Sequence, residues 1–436
     1  MLITLFSLLL LVYFIGRARA LSLKQAPLHS LPSYYGYLLV LWAGLPALLL
    51  LLLWAGFESS IINHLLIAKL PVHLQNQSPE QLSLLVNEIK YLSESNYQSL
   101  LQRSLTIKTV CVFSVMLIGF FFGLKKIKEQ TRARNQVERF LLWSMIFCAS
   151  IAILTTLGII LSVLFESLHF FGEVPASDFL LGTHWSPQTS IRADQVGSSG
   201  SFGAIPLFIG TLLISMIALI IAVPLGLMTA IYIAEYASPR LRAFIKPTLE
   251  ILAGIPTVVY GFFAALTVAP LIRQWGEAIG LSVASESALA AGSVMGIMII
   301  PFISSLSDDA ISAVPQSLRD GAYGMGATKS ETIRQIIIPA ALPGIIGGIL
   351  LAASRAIGET MIVVMAAGLS ANLTINPLEA VTTVTVQIVT LLTGDQEFDS
   401  PKTLAAFALA LALFFTTLIL NVIALWVIRK YREQYD

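Results

Sequence analysis

Nine long apolar segments interrupt this chain, and they constrain its fold more than any other feature. A membrane-spanning helix needs about 20 mostly apolar residues to cross roughly 30 Å of hydrocarbon. Each of the nine reaches that length or comes close to it, so we expect an all-α integral membrane protein with about nine transmembrane helices. The segments lie near 2–16, 35–56, 107–124, 140–165, 205–232, 248–272, 288–306, 343–367 and 403–428.

The composition excludes an ordinary soluble domain. Hydrophobic residues make up 56% of the chain, charged residues only 12%, and the mean hydropathy is +0.82. Soluble domains carry about twice that share of charge. The net charge of +1 gives no indication of a nucleic-acid partner. The two cysteines fall in predicted spans and the histidines lie in loops without ligand spacing, so we expect packing cysteines and no metal site.

The distribution of basic residues predicts the orientation. The first apolar segment has no positive residue before it and no small-residue cleavage site, so we expect a retained anchor, not a signal peptide, with the N-terminus outside. Arg17, Arg19, the cluster Lys125–Arg139 and Arg429 then fall on the same side of the membrane. The positive-inside rule assigns that side, with the C-terminus, to the cytoplasm.

The basic cluster also predicts two domains. Residues 1–139 form an N-terminal extension of three spans, with an outer loop at 57–106 that contains a helix capped by Ser78. This helix is either a cap that packs on the chain itself or a contact for an outer partner. Residues 140–436 form a six-span core. Its outer segment 176–204 is glycine-rich and flexible, and the apolar stretch 381–392 is a re-entrant or surface-lying helix, since it is too short to span.

A polar loop at 307–342 separates two strongly apolar spans on the cytoplasmic side. Pro315 and Ser317 predict the start of a short helix, Gly324 and Gly326 predict its end, and Ser330 predicts a second helix that Pro339 and Pro343 break. The short helix offers an apolar tip with a polar rim, as contact with a motor subunit requires. Its candidate coupling residues are Leu318, Arg319, Asp320, Gly321, Ala322, Tyr323 and Gly326.

The chain has no recognisable nucleotide-binding motif. The stretch from Gly326 to Ser330 superficially resembles a phosphate-binding loop, but no glycine directly precedes Lys329 and no buried strand leads into it. Any ATP hydrolysis must therefore occur on another polypeptide.

An arginine and a glutamate lie within the next apolar span. Arg355 and Glu359 are four residues apart, so one helical face would carry both and they would pair. Charges at membrane depth are costly unless they are paired or hydrated, and they mark functional sites. A structural ion pair between helices is one interpretation. In the other, Arg355 binds a passing oxyanion, Glu359 keeps it oriented, and Ser354 and Thr360 add hydroxyl contacts.

These motifs together resemble the permease subunits of bacterial phosphate-specific ABC importers, the Pst system, and the PstC type more than the PstA type. Asp320-Gly321-Ala322, Gly326, Ile336 and Ile338-Pro339 match the spacing of the coupling loop that such permeases share, with mild departures. The element Ser354–Met361 resembles the phosphate-specific motif of the family. Further similar stretches are Ile221–Leu227, Ala230–Tyr236, Glu250–Phe262 and Pro301–Ser305. The resemblance covers 200–436 strongly and 140–200 loosely.

The resemblance implies a six-helix MetI-like core in a bacterial inner membrane, working by alternating access. It implies four kinds of partner: a PstA-type second permease, a dimer of PstB-type ATP-binding subunits, a periplasmic PstS-type phosphate-binding protein, and membrane lipid. This chain would bind no cofactor, and the ATPase would use ATP and magnesium. Two alternatives stay open, a permease for another oxyanion such as sulfate or molybdate, and an ion-coupled secondary transporter. The latter would need paired broken helices and an internal repeat.

Overall fold

The computed structural model describes residues 2–23, 28–69, 95–128, 130–189, 199–393 and 400–432. Within these ranges nine helices are long and apolar enough to cross a membrane, which confirms the number of spans expected from the sequence. The expected outer helix that begins at Ser78 lies outside the described residues. The chain divides into two compact units, Met1–Thr155 and Thr156–Asp436. The division falls inside the long helix Ala133–Glu173. That helix begins close to the domain boundary between residues 139 and 140 that the basic cluster predicts.

The first unit consists of long helices. These are α1 Leu2–Ser22, α2 Pro32–Lys69, α3 Ser95–Lys126 and the first half of α4 Ala133–Glu173. Both α1 and α3 pack on α2. Leu39 of α2 contacts both neighbours, since a Cβ atom on Gly16 of α1 would come within 3.1 Å of it and one on Gly123 of α3 within 2.7 Å. Small residues thus allow the three helices to approach closely.

The helices α2 and α3 are longer than their apolar segments predict, and they extend into the range 57–106 that the sequence assigned to an outer loop. A half-buried ion pair joins the two helices in this region. Lys108 Nζ lies 2.7 Å from Glu58 Oε2, and the Ser104 hydroxyl donates to Glu58 Oε1 at 2.5 Å. Paired and hydrogen-bonded charges are tolerated between packed helices, and an apolar-segment count cannot foresee the pairing.

Among its described residues, the second unit contains the rest of α4 and twelve further helices, with one small sheet and three π-helical turns. The helices are α5 Ala176–Leu181, α6 Ile205–Ile231, α7 Pro239–Ala253, α8 Thr257–Phe263, α9 Ala269–Ala278, α10 Ala288–Ser312, α11 Gln316–Gly324, α12 Lys329–Thr332, α13 Ile338–Ile357, α14 Met361–Ala366, α15 Val384–Leu392 and α16 Pro401–Arg432. The strands are β1 Trp185–Thr189 and β2 Ser199–Phe202, and the π turns are Tyr232–Tyr236, Ala264–Val268 and Ile333–Ile337.

The described parts of the outer segment 176–204, residues 176–189 and 199–204, form regular structure that the glycine content of the segment did not suggest. Strands β1 and β2 pair antiparallel, with Trp185 opposite Phe202. The Trp185 indole donates to the buried Gln387 side chain of α15 at 2.9 Å. Five residues of α15 are buried, so it lies inside the protein, and the surface-lying alternative for 381–392 is wrong.

Two expectations about where helices are interrupted are corrected. Pro339 and Pro343 do not break the helix, which runs continuously from Lys329 to Ile357 through the π turn Ile333–Ile337. A wider i→i+5 turn just before a proline removes the need for its missing N–H and relieves the clash with the preceding carbonyls. This helix ends instead at Ile357. The span expected at 248–272 is interrupted at Gly254–Pro256, and the apolar helix runs instead over Thr257–Ala278.

The core of the second unit forms where α6 packs on α10. Fully buried small side chains of both helices meet there, among them Ala218, Ala222 and Ala291, beside the larger Met295 and Ile299. Helix α13 packs along the other end of α10, where Gly344 lies against Ala310 and Gly348 against Leu306. This contact brings the C-terminal part of α13 to the middle of α10 and positions Arg355.

Candidate functional site

The loop 313–328 folds as the short helix that its sequence predicts. Helix α11 begins after Pro315 and ends at Gly324. The Gly326 N–H donates to the Tyr323 carbonyl at 2.9 Å, and the Ala327 N–H donates to the Ala322 carbonyl at 3.1 Å. This is the Schellman pattern, which requires a left-handed residue after the cap. Gly326 supplies it with φ +84°.

The exposed apolar tip of α11 differs in part from the expected one. Leu318 and Tyr323 are 43% and 42% exposed, as expected, but Ala322 is buried against the chain. Met325 is 89% exposed and completes the tip. Sequence reasoning missed Met325 because it follows the helix, although its place before a capping glycine was a usable signal. We call Leu318, Tyr323 and Met325 the coupling tip.

Arg319 points inward and not to the rim where the sequence placed it. Its Nη2 lies 3.0 Å from Glu235 Oε1 and donates to the Ile311 carbonyl at 2.9 Å, while Nη1 donates to the Val314 carbonyl at 2.8 Å. The side chain of Arg319 is 13% exposed and that of Glu235 8%. Charge-assisted bonds of this kind are strong, so Arg319 fastens α11 to the ends of α10 and α6. Asp320 is exposed and accepts from Gln316 at 3.1 Å.

A second ionic cluster, missed from the sequence, joins α7 to α10. Asp308 is 2% exposed and accepts from Arg242 at 2.9 Å and from Lys246 at 3.0 Å. Lys246 also pairs with Asp309 at 3.1 Å. Hydrogen bonds to Asp308 and then to Asp309 raise the pKa of Lys246 above its ordinary value, which keeps it charged. The i, i+4 spacing of Arg242 and Lys246 was the available signal.

The predicted ion pair between Arg355 and Glu359 is not formed. Helix α13 ends at Ile357 with Gly358 as its cap, so Glu359 leaves the helical face that carries Arg355. The Glu359 carboxylate instead accepts from the Met361 N–H at 3.1 Å, at the start of α14. The Arg355 guanidinium lies 5.7 Å from the Phe302 ring centroid, a cation–π contact. Among the residues that the structure describes, no carboxylate forms an ion pair with Arg355.

The helix break after Arg355 carries a hydroxyl cluster that sequence reasoning found only in part. Ser354 and Thr360 flank the break, and the Thr360 hydroxyl donates to the Gly358 carbonyl at 3.4 Å. The buried Thr385 hydroxyl of α15 donates to the Glu359 carbonyl at 3.0 Å and lies 3.0 Å from the Thr383 hydroxyl. Thr383 and Thr385 were missed because they belong to α15, far along the chain.

A cavity of about 200 Å³ lies between α7 and α10. Phe302, which contacts Arg355, and Asp308 of the ionic cluster both line it, together with Lys246 and Glu250. Ser304 also lines it and is 1% exposed, and its hydroxyl has no partner among the described residues. The cavity therefore lies beside both Phe302 and the charged side chains Lys246, Glu250 and Asp308, but Arg355 itself does not line it.

Comparison with known proteins identifies the family of this chain. The profile of binding-protein-dependent transport system inner membrane components matches residues 222–433, and a phosphate ATP-binding cassette transporter profile matches residues 2–155. The phosphate transport system permease protein PstC of Mesorhizobium japonicum is 32% identical over 67% of this chain and 92% of its own length. The chain belongs to the PstC-type family of ABC importer permeases.

Two further proteins are similar. The probable ABC transporter permease YqgH of Bacillus subtilis is 32% identical over 61% of this chain and 82% of its own length. A solved bacterial ABC transporter, involved in the import of the acidic polysaccharide alginate, is 16% identical with a TM-score of 0.45, over 70% of this chain and all of that chain. Membership of the family makes this permease a multi-pass inner-membrane protein that works with an ATPase and a periplasmic binding protein.

Proposed function

We propose that this permease carries inorganic phosphate through the membrane and that Arg355 binds the anion in transit. The observation that carries the proposal is the unpaired guanidinium of Arg355 beside Phe302, near the middle of α10. A cation at membrane depth is stabilised by a partner. A phosphate oxyanion is a suitable one because the guanidinium presents its donors in a planar fork. The PstC relatives transport phosphate by name, which supports the same cargo here.

The surroundings favour transient binding. Phe302 holds the guanidinium through its ring face, so the donors stay free for an anion, and Glu359 is held away at the start of α14. Ser354 and Thr360 lie at the same break and are available to contact the anion. In this proposal Glu359 sets the charge near the site without neutralising Arg355.

The coupling tip provides the contact for a separate ATPase. Leu318, Tyr323 and Met325 expose apolar surface, and Arg319 connects the helix that carries them to α6 and α10. Gly321, Asp320 and Gly326 shape that surface. We propose PstB-type subunits that use ATP and magnesium on this tip, a PstA-type second permease, and a PstS-type binding protein on the outer side. The N-terminus then lies in the periplasm and the C-terminus in the cytoplasm.

Uptake of radiolabelled phosphate tests the role of Arg355. In a strain that lacks this chain, we expect Arg355→Gln to lower the initial uptake rate about tenfold to a hundredfold, as loss of charge-assisted hydrogen bonds implies. Arg355→Lys should retain part of the activity. Arg273→Gln is the matched control, because Arg273 is exposed and lies 3.7 Å from Glu277.

Two outcomes would contradict the proposal. Undiminished uptake by Arg355→Gln, with the variant assembled at the normal level, would remove Arg355 from the path. Loss of sulfate uptake and not phosphate uptake in the strain without this chain would assign the other oxyanion.

A further inference from the structure

A pocket of about 690 Å³ lies in the first unit, at the end of the helices where the chain is most basic. Arg19 and Leu23 of α1 line one side, and Leu124 and Lys125 of α3 line the other. The loop after α3 closes the pocket with Ile127, Lys128, Gln130 and Thr131. No part of the proposed transport function uses this pocket.

The loop that closes the pocket is held in place by its own hydrogen bonds. The Thr131 hydroxyl donates to the Lys126 carbonyl at 2.8 Å and accepts from the Lys128 N–H at 3.1 Å. The Tyr35 hydroxyl of α2 donates to the Thr131 carbonyl at 3.0 Å. The buried Ile127 anchors the same loop in the core of the unit. The position of Lys128 is therefore built into the fold.

The cations of this region divide into two groups. Lys126 lies over the Trp42 ring at 4.0 Å, and Arg134 bonds Glu138 at 2.6 Å, so both have partners outside the pocket. Arg19, Lys125 and Lys128 are exposed, line the pocket, and form no ion pair with any residue that the structure describes. Three cations around one concave site provide strong attraction for an anion.

Apolar side chains in the pocket lining continue into exposed apolar side chains along α3. Leu124 and Leu23 line the pocket, and Phe121 and Leu117, one and two turns before Lys125 on α3, are 60% and 56% exposed. A ligand with a charged head and an apolar tail matches this change from cations to exposed apolar side chains. Basic pockets between transmembrane helices on the cytoplasmic side bind anionic lipid head groups.

We propose that this pocket binds the phosphate group of an anionic phospholipid, with Arg19, Lys125 and Lys128 as its ligands and the acyl chains along α3. Free inorganic phosphate shares the head-group chemistry but would gain nothing from the apolar wall. The two sources are therefore distinguishable.

Native mass spectrometry of the purified full chain tests the proposal. The protein is incubated with an equimolar mixture of phosphatidylglycerol and phosphatidylcholine, and the ratio of the two adducts is measured. The triple variant Arg19→Gln, Lys125→Gln, Lys128→Gln should lower the preference for phosphatidylglycerol about tenfold. The control triple Arg17→Gln, Lys126→Gln, Arg134→Gln removes the same charge from neighbouring positions on α1, α3 and α4 that do not line the pocket. It should change the preference less than about twofold.

Further variants and conditions distinguish a lipid head group from free phosphate, and they separate loss of binding from misfolding. Lys125→Arg with Lys128→Arg keeps the charge and should keep the preference, and Lys128→Gln alone, in an exposed position, should lower it in part. Added millimolar inorganic phosphate should leave the lipid bound. Equal loss in both triples, no loss in the pocket triple, or displacement of the lipid by inorganic phosphate would each overturn the proposal.

Discussion

At the scale of single residues, Gly326 shows how one backbone conformation sets the coupling surface. Its φ of +84° closes the Schellman cap of α11. No other atom lies near the position of a Cβ, so the effect of substitution comes from the backbone alone. A non-glycine residue in this region costs about 1–2 kcal/mol. We expect Gly326→Ala to speed hydrogen exchange of the Gly326 and Ala327 amides roughly fivefold to thirtyfold, and to raise the ATP hydrolysed per phosphate transported.

Gly321→Ala is the matched control for this prediction. Gly321 lies inside α11 with equal space around it, and alanine is the better helix former there. Exchange of the same two amides should stay unchanged or slow. If both variants exchange at the same increased rate, the left-handed conformation is not what holds the cap.

Residue types predicted the coupling helix well but not the directions of its side chains. Pro315 and Gly326 mark its ends by local backbone chemistry, which a sequence reveals directly. Whether Arg319 turns to solvent or inward depends on Glu235, 84 residues earlier in the chain. Such partners are set by tertiary packing, which the sequence does not show directly. The sequence therefore placed Arg319 at the polar rim of the helix, whereas in the fold its side chain points inward.

At the scale of elements, the pair Arg319–Glu235 is the connection between α11 and the end of α6. Arg319→Gln leaves the 8% exposed Glu235 without its partner, at a cost of about 3 kcal/mol. We expect the coupling tip to stay exposed, since Leu318, Tyr323 and Met325 take no part in the hydrogen bonds that Arg319 forms. We therefore expect phosphate uptake to fall about tenfold or more, while the purified ATPase still binds the chain.

A double-mutant cycle provides the control for this connection. Glu235→Gln combined with Arg319→Gln should be less damaging than the two single effects added, because neither charge is left buried alone. Asp320→Asn combined with Arg319→Gln should be additive, since Asp320 bonds only Gln316 among the described residues. Loss of ATPase binding in Arg319→Gln would show instead that Arg319 belongs to the docking surface.

Helix breaks were the least predictable elements. Pro339 and Pro343 suggested a break, but the helix continues past both of them. The π turn at Ile333–Ile337 accommodates Pro339, and Pro343 lies inside α13. The actual break at Gly358–Thr360 lies beside α15, whose Thr385 hydroxyl bonds the Glu359 carbonyl. A contact between segments 26 residues apart thus supports a break that local sequence does not specify. The sequence identified Arg355 because a charge within an apolar span is visible directly. The predicted pairing with Glu359 was wrong because it assumed that the helix continues past Gly358.

At the scale of the whole molecule, the apolar segments predicted nine spans because hydropathy and length together decide which helices can cross a membrane. The two-stranded sheet was missed, since glycine and serine in Ser199–Phe202 indicate a loop by composition. Orientation depends on charge and not on packing. It therefore stays a prediction, and it has a direct test.

Cysteine labelling provides that test. Cys111→Ser and Cys148→Ser remove the native thiols, and Ser282→Cys and Ser330→Cys then place one exposed thiol on each side of α10. The positive-inside rule assigns Ser330 to the cytoplasm. A membrane-impermeant maleimide should therefore label Ser282→Cys in spheroplasts, and Ser330→Cys only in inverted vesicles. The reverse pattern would place the coupling tip outside and contradict ATPase docking there. Labelling of both positions from one side would show instead that α10 does not cross the membrane, since among the described residues between them α10 is the one helix long enough to span.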